Sequence, residues 1–188
     1  MTVRQTTMLS AKIALLGSVF YLAGLWLVTA LGWHLSSTPD WLFRLVLVFG
    51  VVLSVTVVRG QQNGYLSFSE GVRVGSVTTL MLAIGMAVSM WLYATAINPP
   101  YAEEYREAYY EMQYNRTMQK YINDHYGKDT MTQGAIDTVQ RAVTIYVDKA
   151  GHFFTRGGQT QIVFGYALIW GMLTTLTVVL LARRVRED

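Results

Sequence analysis

The chain contains no cysteine, which excludes disulfides, thiolate metal sites and a cysteine nucleophile. Charge is also scarce. Asp, Glu, Lys and Arg make up 14% of the 188 residues, and 52% are hydrophobic. A typical soluble protein carries about 25% charged residues, so the shortage points to a bilayer before any segment is read. Proline occurs only at positions 39, 99 and 100, each at the edge of an apolar run. No acidic residue falls inside those runs. A proton-coupled carrier normally needs an intramembrane carboxylate, so ordinary transport is disfavoured. A phosphate loop, a dinucleotide fingerprint and a nucleophile elbow are all missing. Repeats and low-complexity tracts are missing too, and a chain of this length is usually one domain.

What is present is organised around Ser67 to Pro100. Ser67-Phe68-Ser69-Glu70 reads as a capping box, with Ser67 accepting from the backbone N–H three residues on and Glu70 reaching back to that of Ser67. From Val74 to Ile97 no charge occurs, long enough for a helix to cross a bilayer core of about 30 Å. Asn98-Pro99-Pro100 stops it, because proline lacks the N–H and disfavours helix in the residue before it.

Three more runs have spanning length: about residues 13–32, 41–58 and 161–182. The first competes with a signal peptide cut after Ala30, but its length exceeds the usual signal core of about 7–15 residues, so a retained anchor is expected. Thr38-Pro39-Asp40 opens the second with a cap, a proline at the first helical position and an acid in the first turn. Arg44 lies in that turn and is expected to snorkel or to pair with Asp40; lining a pathway is the functional alternative. Trp33 and Trp41 bracket the loop as interfacial aromatics. Arg4, Lys12, Arg59, Arg73, Arg183, Arg184 and Arg186 all fall on one side, and the short loop opposite holds no Lys or Arg. The positive-inside rule then places both termini in the cytoplasm and residues 98–160 outside it.

Residues 98–160 hold seven basic and eight acidic residues, which is no nucleic-acid footprint. They read as two helices, about Tyr101–Tyr126 closed by Gly127 as a C-cap, and Thr132–Ala150. Tyr101, Tyr105, Ala108 and Met112 share one face of the first. Met118, Tyr121 and Ile122 lie on a rotated stripe, which a kink or a change of partner near Asn115 to Thr117 would explain. Ile136, Val139, Val143 and Tyr146 recur at helical spacing in the second. Such helices lie on the outer leaflet or cap the bundle, or else form a docking surface for a partner. The candidate docking residues are Tyr101, Tyr105, Met112, Glu103, Glu107 and Glu111. The three glutamates are four apart, and like charges at that spacing suit a solvated face or a basic partner. His34, His125 and His152 lack metal-ligand spacing, so no metal and no cofactor is expected. Gly85/Ser89 and Gly171/Thr175 are small residues four apart, the pattern that lets helices approach closely within a bundle or between copies.

The arrangement resembles a family of small four-span inner-membrane proteins of unknown function, widespread in Bacteroidetes and their relatives. Gly64-Tyr65-Leu66-Ser67-Phe68-Ser69-Glu70-Gly71 matches its glycine-led aromatic turn before the third span. Asn98-Pro99 stands where the family often has an acid–proline pair. The resemblance implies a bacterial cytoplasmic membrane with the long segment in the periplasm, and brings no activity. The expected fold is an all-α membrane protein, a four-helix transmembrane bundle with an amphipathic helical extracytoplasmic segment between spans three and four. The expected role is a non-enzymatic accessory or scaffold subunit. Its partners would be the lipid bilayer and a membrane protein or a second copy. A small oligomeric transporter or channel is the alternative, and an enzyme using Glu103, Glu107 or His125 comes third.

Overall fold

A computed structural model describes residues 3–36, 38–125 and 133–182. All of its regular structure is helical: α1 Val3–Ala30, α2 Thr38–Gln61, α3 Phe68–Leu92, α4 Tyr101–His125, α5 Gln133–Lys149 and α6 Arg156–Ala182. Among the described residues there is no strand. Four segments are long and apolar enough to cross a membrane: Arg4–Ala30, Thr38–Gln61, Phe68–Ile97 and Arg156–Ala182. Their outward faces are studded with large apolar side chains, Phe20 72% and Phe49 67% exposed among them, as a lipid-facing surface requires.

The helix ends follow local chemistry. Gly32 takes a positive φ of 73°, and the Gly32 and Trp33 N–H groups bond the Thr29 and Val28 carbonyls, closing α1 as a Schellman motif. Ser67 Oγ accepts from the Glu70 N–H at 3.3 Å, so half of the expected capping box forms. The Glu70 carboxylate turns elsewhere, accepting from Gln62 Nε2 at 2.6 Å and lying 3.6 Å from Arg73. After Leu92 the helix widens into a π-helical turn, Tyr93–Ile97, and ends at Asn98, whose backbone (φ −131°, ψ 78°) has left the helical region that a following proline disfavours. The fourth apolar helix begins at Arg156 rather than near Gln161, because Thr155 caps it, its Oγ1 accepting from the Gly158 N–H at 2.9 Å. Arg183, Arg184 and Arg186, counted among the basic residues of one side, lie outside the described residues, as does Gly127.

α3 sits at the centre of the bundle and packs on α1, α2 and α6. Between α3 and α6 the contact is reciprocal. Gly75 of α3 receives Thr175 of α6, Gly171 of α6 receives Thr79 of α3, and the two threonine Oγ1 atoms lie 3.2 Å apart. The order of these contacts makes the two helices antiparallel. Toward α1 and α2 the knob is Leu82, fully buried. A Cβ on Gly17 would lie 2.8 Å from one of its methyls, and a Cβ on Gly50 2.6 Å from the other. Gly85 receives Ser18 of α1, and Ser89 Oγ donates to the Ser18 and Gly85 carbonyls.

α4 and α5 form a hairpin at the end of the bundle where α3 finishes. α4 is one continuous helix through Asn115 to Thr117, and its rotated stripe meets a different partner, α5. Its first turns direct Tyr101 and Tyr105 to the bundle. Tyr110, Tyr114, Met118 and Tyr121, on the other side, pack with Val139, Val143 and Val147 of α5. The buried ridge of α5 is Ala135, Val139, Val143 and Val147. Tyr146, expected on that ridge, is 54% exposed, because a ridge that repeats every fourth residue leaves it one position off the contact line.

Gly75→Ala or Gly171→Ala should lower the thermal unfolding midpoint in detergent, at a cost of about 1–3 kcal/mol, because each added methyl meets a threonine. Gly165→Ala, where nothing lies within 4 Å, should leave it unchanged or raise it. Circular dichroism reads both.

Candidate functional site

The α4 end of the bundle holds a chain of polar contacts. Thr29 Oγ1 donates to the Leu25 carbonyl at 2.9 Å, so the Tyr93 hydroxyl, 2.6 Å away, donates to Thr29. Asn98 Nδ2 donates to Tyr93 Oη at 3.4 Å and to Glu104 Oε2 at 3.3 Å. His34 Nε2 donates to the same carboxylate oxygen at 3.0 Å. The chain ties the α1–α2 loop, the π turn and the start of α4 together. An aromatic ladder runs beside it. Tyr93 meets Tyr101 edge-on at 5.1 Å, Tyr105 follows at 5.9 Å, and Phe154 contacts Tyr105 at 6.2 Å and Tyr109 at 5.2 Å. Such ring pairs add about 0.5–1.5 kcal/mol each beyond burial.

Beneath α4 lies a cavity of about 250 Å³. Its floor is buried: Tyr21, Leu25, Met90, Tyr101 and Gln159. Its exposed lining residues, Asp40 and Arg44 of α2 and Tyr166 and Trp170 of α6, mark a mouth between those two helices. The Arg44 guanidinium lies 5.6 Å from both the Trp41 and the Trp170 rings. Two aromatic faces thus hold the cation. Arg44 and Asp40 form no ion pair with each other or with any described residue. Of the two expectations for Arg44, snorkelling or pairing with Asp40, the ion pair does not form, and the guanidinium sits over the two tryptophan rings. Burial holds the Tyr101 and Tyr105 phenols above the ordinary tyrosine range, and the Asp40 carboxylate adds to the effect. Both therefore stay neutral hydrogen-bond donors. Gln159 Nε2 donates to the Phe153 carbonyl at 2.8 Å.

A family described as "Protein of unknown function (DUF4199)" matches residues 12–184, which takes in nearly the whole chain. The chain belongs to the DUF4199 family. No curated protein and no solved structure matches it. The match runs from within α1 through the end of α6, so the DUF4199 domain contains the bundle, the α4–α5 hairpin and the cavity alike.

In this DUF4199 chain the six candidate docking residues part company. Tyr101 is buried and Tyr105 half-buried, both committed to the ladder. Met112 is 53% exposed, and Glu103, Glu107 and Glu111 are exposed. Glu103 and Glu107 border a groove of about 260 Å³ against α5, where Arg106 pairs with Asp148 at 2.9 Å. The small-residue pairs are engaged inside the bundle, Gly85/Ser89 against α1 and Gly171/Thr175 against α3. No group of three His, Cys, Asp or Glu side chains fit to hold a metal occurs among the described residues. His34 pairs with Glu104 and His152 with Gln161 at 3.0 Å; the side chain of His125 lies outside the described residues. Sequence reading missed Phe154, Gln159, Tyr166 and Trp170. Only the Trp41–Arg44 spacing on one helix gave any hint of the clamp.

Tyr93→Phe keeps the ring on Tyr101 but removes the bridge between Thr29 and Asn98, for an expected loss of about 0.5–1.5 kcal/mol. Phe154→Ala opens the junction of hairpin and bundle and should cost about 3–5 kcal/mol. Denaturant titration in mild detergent should rank the two in that order.

Proposed function

We propose that this DUF4199 chain is a four-span integral protein of a bacterial cytoplasmic membrane, with both termini in the cytoplasm and the α4–α5 hairpin in the periplasm. In that setting it acts as a non-enzymatic accessory or scaffold subunit. The observation that carries the reading is the contrast between a closed bundle and a braced, polar hairpin. Leu82, Met86, Val51 and Val55 fill the bundle interior. Its buried polar side chains are all uncharged, among the described residues. Such an interior offers no hydrated path, which weighs against the alternative of a small transporter working through a single chain. The hairpin, by contrast, is anchored through the aromatic ladder and the His34–Glu104–Asn98 contacts and turns Met112, Glu103, Glu107 and Glu111 outward. A rigid exposed face on a membrane-held support suits recognition of a basic surface on a partner.

The charge distribution supports the orientation. Arg4, Arg59 and Arg73 lie at the bundle end remote from the hairpin, where Leu9, Val58, Leu66 and Ala182 converge. The cysteine-free sequence makes the test direct. Asp124→Cys should react with an impermeant maleimide on intact spheroplasts, and Gly60→Cys should react only after the membrane is permeabilised. The opposite pattern would invert the topology. For the scaffold role, gentle solubilisation of tagged protein should bring down a stoichiometric partner. Replacing Glu103, Glu107, Glu111 and Met112 together by alanine should release that partner while the chain still inserts. A clean homo-oligomer that passes solute in liposomes would overturn the scaffold reading.

A further inference from the structure

The cavity under α4 has a lining that selects its occupant, given the membrane setting proposed above. The geometry points to a binding site for one phospholipid whose headgroup carries a phosphate and a primary ammonium, phosphatidylethanolamine. The Arg44 guanidinium lies over the Trp41 and Trp170 rings, 5.6 Å from each centroid, and its N–H donors have no hydrogen-bond or ionic partner among the described residues. A guanidinium held in that way suits a phosphate. Asp40 lies one helical turn away on the same wall and is likewise unpaired among the described residues. Side chains four apart on a helix are about 5–6 Å apart at Cβ. That separation suits a headgroup whose two charges are joined through two carbons.

The rest of the wall narrows the choice. Asp40 supplies a carboxylate that only accepts, and Gln159 lines the same cavity with an uncharged amide. A primary ammonium gives the carboxylate charge and N–H donors together; a trimethylammonium has no N–H to give it; an uncharged glycerol headgroup leaves Asp40 unneutralised. The volume fits a headgroup alone, since about 250 Å³ is smaller than the roughly 300–1,000 Å³ of sites that enclose whole small molecules. The chains have a place as well. On α2, Val48 lies one turn beyond Arg44, and on α6 Leu173 and Leu180 follow Tyr166 and Trp170 along one face, all three of them exposed and apolar.

The test uses the full chain, delipidated in mild detergent and offered phosphatidylethanolamine, phosphatidylglycerol or phosphatidylcholine at equal concentration, with retained lipid read by native mass spectrometry. One phosphatidylethanolamine per chain should be held about tenfold more strongly than either of the others, as expected from one charge-assisted contact. Arg44→Gln should remove most of that retention, and Asp40→Asn should shift preference toward phosphatidylglycerol. Leu16→Ala, on the exposed face of α1 and outside both the cavity lining and the surface for the lipid chains, should change nothing. Equal retention of the three lipids by the unaltered chain would overturn the proposal without any variant, marking annular lipid only. Displacement of bound lipid by soluble glycerophosphoethanolamine at comparable concentration would reassign the site to a free headgroup. The membrane reading fails separately, through release of the chain from membranes by alkaline carbonate, which lipid selectivity does not measure.

Discussion

The structure depends on how closely α3 approaches its neighbours. In a bilayer, burying apolar side chains against one another gains little over burying them in lipid, so close packing and interhelical hydrogen bonds must hold the helices together. α3 supplies both. Gly75 and Thr79 interlock with Thr175 and Gly171, so each helix provides one hollow and one knob, and the two hydroxyls meet in the middle. Gly85 and Ser89 do similar work toward α1. Leu82 wedges between the glycines of two further helices. Any residue larger than glycine at these points would push a helix outward and loosen the contacts around it.

The hairpin obeys a different rule. α4 is too polar to be held by apolar burial along one stripe, and it changes partner partway. Tyr101 and Tyr105 serve the bundle, while Tyr110, Tyr114 and Tyr121 serve α5. Tyrosine can do this because its ring packs in a core while its hydroxyl reaches a polar edge. Phe154, in a short 3₁₀ turn between α5 and α6, joins the two halves by contacting Tyr105 and Tyr109 at once.

Much of the architecture was legible because apolar length and charge are local properties. The four long helices, the Ser67 cap, the stop at Pro99 and the hairpin of amphipathic helices could all be read from runs of adjacent residues. The site was not, and the reasons are specific. Tyrosines on an amphipathic face look the same whether they meet a partner or their own bundle, so Tyr101 and Tyr105 could be placed on a face but not turned inward. Glu70 fits a capping box, yet Gln62 offers it a stronger contact from across the turn. Arg44 could be read as snorkelling or as pairing with Asp40, but not as lying over Trp170, which is far along the chain. The small-residue spacing was visible, but which glycine receives which threonine is settled only by the crossing of α3 and α6.

The same contrast in residue size explains why there is a cavity at the α4 end. Where α3 meets α6 near Gly75 and Gly171, small residues let the backbones come together and leave no room between them. Toward α4 the bundle carries Met90 on α3, Tyr93 in the π turn and Gln159 and Val163 on α6. Helix separation follows the size of the side chains at the contact, and these are larger than the glycines and threonines of the other contact. Rigid rings do not tile such a space as branched aliphatic chains can, and α4 lays Tyr101 and Tyr105 along the cavity instead of filling it. What remains is a chamber with an aromatic floor, roofed by a hairpin, with its charged residues at the mouth. A packing pattern that tightens one end of a helical bundle therefore creates a site at the other.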